Sequence, residues 1–509
     1  MSKEPGNPFP ELIETTLSEL QAAMMTGQLT ARRLVEMYLE RISALDQQGP
    51  TLRAVLEINP DALALADELD QERATNGPRS PLHGIPLLIK DNIATVDQMQ
   101  TTAGSLALLG SRPPRDAFVI SRLREAGAIL LGKTNMSEWA NFRSDCSSSG
   151  WSGRGGQARN PYVLDRSPSG SSSGSATAIA ANLALAALGT ETDGSILSPS
   201  SVNAVVGIKP TLGLTSRAGV IPIAHSQDTV GPIARTVADA AALLGVLTGV
   251  DPLDPATQAS VGNFERDYTQ FLDPQGLREA RIGIPRKVYF GYSSRTDAII
   301  QTAIEQMRKL GAIIIDNADI PFAQEMAASN AEWTVLLHEF KADLNAYLAE
   351  LRDAQVHSLA ELIAFNDAHA SAELAYFGQE LLLKAEDTTS LEDPLYLAAL
   401  QENRRLARQE GIDAVMNQHQ LDALVMPTGH PAWSIDLVNG DHSKGGSSQP
   451  AALAGYPAIS IPAGYISELP VGITFMGRAF SEPTLIKLAY AFEQATKARR
   501  PPRYLPTVP

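Results

Sequence analysis

The sequence predicts an α/β protein organised around a large, mostly buried sheet. Two observations carry this. From about residue 80 onward short apolar runs alternate with helix-like segments, and the stretch 324–420 is rich in Ala, Leu, Glu and Gln with little strand character. Taken in order, residues 11–45 and 60–75 have the spacing of amphipathic helices. Strands are expected at Pro86–Lys90, Ala128–Gly132, Ala204–Ile208, Arg281–Pro285, Ala312–Ile315, Ala423–Met426, Ala458–Pro462 and Val471–Met476. One helix is expected over 116–126, with Asp116 as N-cap and Gly127 just past its end, and an apolar one over 175–188. The 324–420 stretch reads as a helical insertion over one side of the sheet. No linker divides the chain, so 1–509 is read as one domain: N-terminal helices to 75, a core over 80–250, the insertion, and the rest of the core over 421–500.

Charge and composition narrow the function classes. With 57 acidic against 41 basic residues the net charge is −16, which works against a nucleic-acid partner. The single cysteine, Cys146, leaves no intrachain disulfide and reads as a small, partly buried residue in a reducing compartment. The start, MSKEPGNPFPELIETT, lacks the apolar core of a signal peptide, so a cytoplasmic location is expected. The longest apolar run, Ala176–Leu188, is interrupted by Asn182 and is too short to span a membrane.

Three short patterns compete for the chemistry. GAILLGKT (127–134) fits the phosphate-binding pattern G-x-x-x-x-G-K-[ST], which would make Lys133 and Thr134 nucleotide ligands. That mechanism needs strand, loop and helix in order, whereas here the first glycine ends a helix and the spacer is an apolar strand. Gly170–Gly174 fits G-x-S-x-G, with Ser172 as nucleophile and His430 or His442 following. No buried strand precedes it, since Leu164–Ser169 is polar and contains a proline. The third scheme uses a lysine base. Lys90 ends the apolar run GIPLLI, where desolvation lowers an ammonium toward neutrality, and the chain between Ser144 and Ser201 is crowded with serine and glycine suited to an oxyanion.

Four separated blocks then settle between these schemes: PLHGIPLLIKDN (81–92), GKTNMSEWANF (132–142), SPSGSSSGSATAIAANLALAALGTETDGSI (167–196) and VVGIKPTLGLTSRAGVIPIAHSQDTVGPIARTVADAA (205–241). Together, and with the tail AGYPAISIPAG, they resemble the amidase signature family over most of the chain. The resemblance implies a large mixed sheet with helices on both faces and a helical insertion, and amide hydrolysis without metal or cofactor. It implies Ser195 as nucleophile, Ser171 as bridging serine after a cis Gly170–Ser171 bond, and Lys90 as base. The backbone N–H groups of Thr192, Asp193, Gly194 and Ser195 match the family's oxyanion hole. Two departures stand out: Asp193 replaces the usual glycine, and Leu197 stands where glutamine-using members often carry an arginine, which disfavours a glutaminase role. The blocks SEWANFRS (137–144), SGWSGRGGQARNPY (149–162), GTETDGSI (189–196) and EFKADL (339–344) narrow the resemblance to family members that deamidate peptide C-termini. A peptide or small-molecule amide is the implied partner, Asn141 a candidate substrate contact, and a broad aliphatic or aryl amidase the alternative.

Overall fold

The computed structural model describes residues 12–509; the first eleven residues, and with them most of the segment that lacks a signal-peptide core, lie outside the described residues. The strands are β1 (Val55–Ile58), β2 (Pro86–Lys90), β3 (Ile129–Thr134), the two-residue pair β4 (Trp151–Ser152) and β5 (Gly156–Gln157), β6 (Ala186–Glu191), β7 (Val206–Lys209), β8 (Thr229–Ala234), β9 (Arg281–Ile284), β10 (Ile313–Asp316), β11 (Ala423–Pro427), β12 (Ala458–Ile466) and β13 (Leu469–Met476). Eleven of them form one mixed sheet in the order β1-β3-β2-β6-β8-β7-β12-β13-β11-β9-β10, covered by helices. β2 runs parallel to both β3 and β6, and every residue of these three strands is buried. Continuous burial is why their sequences read as unbroken apolar runs. Among the described residues no helix is long and apolar enough to cross a membrane.

All eight expected strands are present, seven of them within one or two residues of their expected ends, while the strand expected over Ala458–Pro462 runs four residues further, to Ile466. Other expectations need correction. The apolar run 175–188 is a helix only over Ser173–Ala180; Asn182 turns the chain at φ +57°, and the rest enters β6. A short apolar run packs equally well as either element, and here pairing on both sides with β2 and β8 decides for strand. β1 and β8 were not expected, β8 because Gly231 and Pro232 lie inside it. The helix expected over 116–126 spans Phe118–Glu125, and Asp116 does not cap it: its carboxylate accepts from Val96 N and Arg124 Nε instead. Gly127 does sit beyond its end, at φ +79°. Cys146 is exposed rather than partly buried.

The segment after β10 is helical as expected, from Ala323–Ala328 to Asp413–His419. Its packing goes beyond one side of the sheet. Leu406, Ile412, Val415 and Met416 lie against Leu424, Met426, Ala458 and Met476 of β11–β13, but Leu336, Phe340, Leu344 and Leu348 pack on Ala103, Leu108, Met136, Trp139, Phe142 and Ile223. Those partners lie in loops that follow β2 and β3 or precede β8. The insertion therefore roofs the end of the sheet where β2, β3 and β6 terminate.

Candidate active site

In open α/β sheets ligands settle beyond the carboxyl ends of parallel strands, and β2, β3 and β6 end together here, in Lys90, Thr134 and Glu191. Lys90 keeps the β2 pairing to its last residue, so its side chain enters the interior and is fully buried. Its Nζ contacts Ser171 Oγ at 2.7 Å, Thr190 Oγ1 at 2.8 Å and Thr190 O at 3.2 Å. Burial lowers Lys90 to about 7, outweighing the charges of Asp228 and Glu191, which act the other way. A neutral lysine has two N–H donors and one lone pair, so near neutrality Nζ can accept the Ser171 proton while still donating to Thr190.

Ser171 follows a cis Gly170–Ser171 peptide bond and is fully buried. A Cβ at Gly170 would stand 2.2 Å from Ser137 Oγ, so only glycine fits between the two loops. Ser172 N donates to Ser195 O at 3.1 Å, and this main-chain bond ties the Ser171 loop to the loop that leaves β6. Ser195 is 8% exposed, the one serine of the pair within reach of the surface. The Thr192–Ser195 loop is braced from below by Glu191, whose Oε2 accepts Ile196 N at 2.6 Å and Leu197 N at 2.9 Å. On its flank Thr192 Oγ1 donates to Asp228 Oδ1 at 2.6 Å, while Asp228 Oδ2 accepts Ile223 N and Ala224 N. Gly194 has φ +80°, and a Cβ there would meet Ser448 Oγ at 2.9 Å. Lys90 and Ser171 thus meet through their side chains, and the Ser195 loop is joined to them through the main-chain bond from Ser172.

Asn141 closes a run of three positive φ values with Trp139 and Ala140. Its Nδ2 donates to Ser149 Oγ at 3.0 Å, and Ser149 Oγ in turn lies beside Gly170, while Asn141 Oδ1 is buried without a donor. The Asp193 carboxyl is raised by burial, and its Oδ1 has no hydrogen-bond partner. The rival patterns lose their footing. Lys133 and Thr134 lie inside β3 rather than at the head of a helix; Lys133 Nζ donates to Ile93 O at 2.6 Å and Thr101 Oγ1 at 2.9 Å, and Thr134 Oγ1 meets Ser175 Oγ at 2.8 Å. Ser172 is fully buried with its hydroxyl on Thr190 O, and His430 and His442 bond Pro431 O and Asp436. Sequence reasoning missed Thr190, Glu191, Asp228 and Glu332. Thr190 and Glu191 stood in the quoted GTETDGSI block, and Asp228 in the quoted 205–241 block, without a pattern to mark them; Glu332 gave no signal at all.

Comparison with known proteins identifies the family and the fold. The amidase family model matches residues 33–486. The crystal structure of native peptide amidase from Stenotrophomonas maltophilia superposes with a TM-score of 0.93 at 54% identity, over 98% of this chain and 99% of that one. A peptide amidase in complex with the competitive inhibitor chymostatin gives a TM-score of 0.94 at 54% identity, over 98% of this chain and all of that one. An Arabidopsis thaliana protein described as a probable amidase is 48% identical over 499 residues, 97% of this chain and 92% of the relative. This chain belongs to the amidase family and is an amide-hydrolysing enzyme.

Proposed function

We propose that this enzyme releases ammonia from the C-terminal carboxamide of peptides, with Ser195 as nucleophile, Ser171 as proton relay and Lys90 as base. The observation that carries the chemistry is the 2.7 Å contact of Lys90 Nζ with Ser171 Oγ in a site that holds the lysine near neutrality. Ser195 Oγ attacks the amide carbonyl carbon and passes its proton to Ser171, which passes its own to Lys90. The oxyanion forms against the backbone N–H groups of Thr192, Asp193, Gly194 and Ser195, where a single donor is worth about 3–4 kcal/mol of barrier. Lys90 then returns its proton through Ser171 to the departing nitrogen; ammonia leaves an acyl-enzyme on Ser195, and water cleaves that ester by the same relay. The likeness to the peptide amidases supports a peptide substrate. So does the roof: Trp333 is exposed and stacks at 6.0 Å on Phe142, the residue after Asn141, which offers an apolar wall to a peptide side chain.

Ammonia release from an amidated dipeptide and from a simple aryl amide separates this reading from a broad amidase. The dipeptide amide is expected to turn over with the higher kcat/KM; equal or better turnover of the aryl amide sinks the peptide reading. Ser195→Ala is expected to lower turnover by more than about 10³-fold, and full activity in that variant removes Ser195 as nucleophile.

A further inference from the structure

Two of the blocks that stand out in the sequence, 205–241 and EFKADL (339–344), meet at a turn for which the reaction has no use. The turn runs from Ile223 to Asp228 and closes on itself, since Asp228 Oδ2 accepts Ile223 N and Ala224 N. Its three residues before Asp228 are each held by the roof helix Ala331–Glu350. His225 N donates to Asp343 Oδ2 at 3.0 Å, Ser226 N to Glu339 Oε2 at 2.9 Å and Gln227 Nε2 to Glu332 Oε1 at 3.1 Å. Positions 332, 339 and 343 share one face of the helix, so the roof lays a row of carboxyls along the turn. One side chain of the turn can answer with charge. His225 Nδ1 lies 2.9 Å from Asp343 Oδ2 and 3.1 Å from Oδ1, while Nε2 lies 3.4 Å from Glu339 Oε1. A neutral imidazole has a single N–H and would turn a lone pair toward one of the two carboxylates; an imidazolium donates to both.

We propose that His225 is held as an imidazolium between Asp343 and Glu339 and is a positioning residue whose charge seats the roof helix, with Trp333 on it, for a peptide substrate. The proposal rests on the reading of the enzyme as a peptide amidase and deepens it. The hydrogen bond to Asp343 raises His225 above its usual 6.5, helped by the Glu339 charge and opposed by burial and by Arg217. The other groups that face this pairing come from two further elements. Tyr396, on the helix Pro394–Ala407, donates to Glu339 Oε1 at 2.8 Å, and Arg217 donates to His225 O while its Nη2 pairs with Asp254 Oδ1 at 2.6 Å. A histidine raised in the folded state adds stability that is fully present below its unfolded value and is lost as pH rises through the folded one. The roof is therefore held most firmly below about 6.5 and less firmly on the alkaline side, the reverse of the Lys90 limb. The same three side chains are close enough to take up a metal ion. Each ring nitrogen, however, faces its own carboxylate, which suits a proton on each nitrogen rather than one shared ion.

The test is kcat and KM against pH for an amidated dipeptide and a simple aryl amide, in wild type, His225→Gln and His225→Arg, with hydrogen exchange over 331–350 compared at one pH near 6.5. His225→Gln is expected to raise the dipeptide KM about 3- to 10-fold, with kcat and both constants for the aryl amide within about twofold. His225→Arg, whose guanidinium bonds carboxylates at any pH, is expected to keep the low KM and to abolish its rise on the alkaline side. In wild type the ratio of kcat/KM for dipeptide over aryl amide is expected to fall as pH rises, a ratio from which Lys90 cancels. Amides of 331–345 are expected to exchange about tenfold faster in His225→Gln than in wild type. Wild-type KM and an unmoved pH dependence in His225→Gln overturn the proposal, as does unchanged exchange. A melting temperature that rises with Zn²⁺ only when His225 is present also overturns it, by making the cluster a metal site. Exchange needs no substrate, so it reports on the clasp even if the aryl amide proves the better substrate and the peptide reading falls.

Discussion

At Lys90 the chain carries an amine into a place where its hydrogen-bond partners are two hydroxyls and a carbonyl, with no carboxylate in contact. Since the folded value, about 7, lies below that of an exposed lysine, the unfolded chain binds the proton more readily. Lys90 thus costs stability increasingly as pH falls from about 10.4 toward 7, and the cost is complete below that. The proposed relay needs the other form of the same group: only the neutral amine accepts a proton, so kcat/KM is expected to rise with pH through about 7. Lys90→Met is expected to lower turnover by more than about 10³-fold while the calorimetric melting temperature at pH 7 stays level or rises. A sharp fall in melting temperature would contradict the account. Lys90, Ser171 and Ser195 could be named from the sequence because each sits in one of the blocks that resemble the amidase family. Thr190 and Asp228 could not, because the pairing of β2 with β6 brings Thr190 to Lys90 and that of β6 with β8 brings Asp228 to Thr192, and no short pattern states a strand register.

The run β6, loop, helix Leu197–Val202 is the element on which the site turns. Glu191 is both the last residue of the strand and the acceptor for the first backbone N–H groups of the helix, so the loop between them is held at both ends by one side chain. Removing it strands two buried donors, each costing about 1–3 kcal/mol. Glu191→Ala is accordingly expected to lower unfolding free energy by about 2–4 kcal/mol in a denaturant titration and to reduce kcat more than KM. A loss confined to KM would place Glu191 outside the loop's support. The sequence showed the serine-rich block but mislaid the strand beside it. Ala176–Leu188 has no period that separates a buried helix from a buried strand, and the break at Asn182, though visible, did not say which element followed.

Across the whole molecule, the insertion is anchored by a buried cluster. Arg143, after the Asn141 turn, pairs with Glu138 and lies 3.8 Å from Glu373, with its guanidinium 4.1 Å from the Phe377 ring centroid and 5.0 Å from that of Trp151. All three charged residues are buried. Arg143→Met is expected to cost about 3–5 kcal/mol, because it leaves two carboxyls facing each other without a cation, and to admit proteolysis near 373–379 before global unfolding. Unchanged protection there would show that the apolar contacts alone dock the insertion. That a helical insertion exists was plain from composition; where it docks was not, since nothing in the sequence pairs Arg143 with Glu373.

The main-chain bond from Ser172 to Ser195 fixes the separation of the two serine loops without any side chain of the roof, while Glu332 and Trp333 both come from the roof's first long helix. Floor and roof can therefore drift separately. Substitutions along 331–351 would retune which amide is admitted, leaving the proposed lysine–serine relay untouched, so an enzyme of this build can change its clientele without relearning its chemistry.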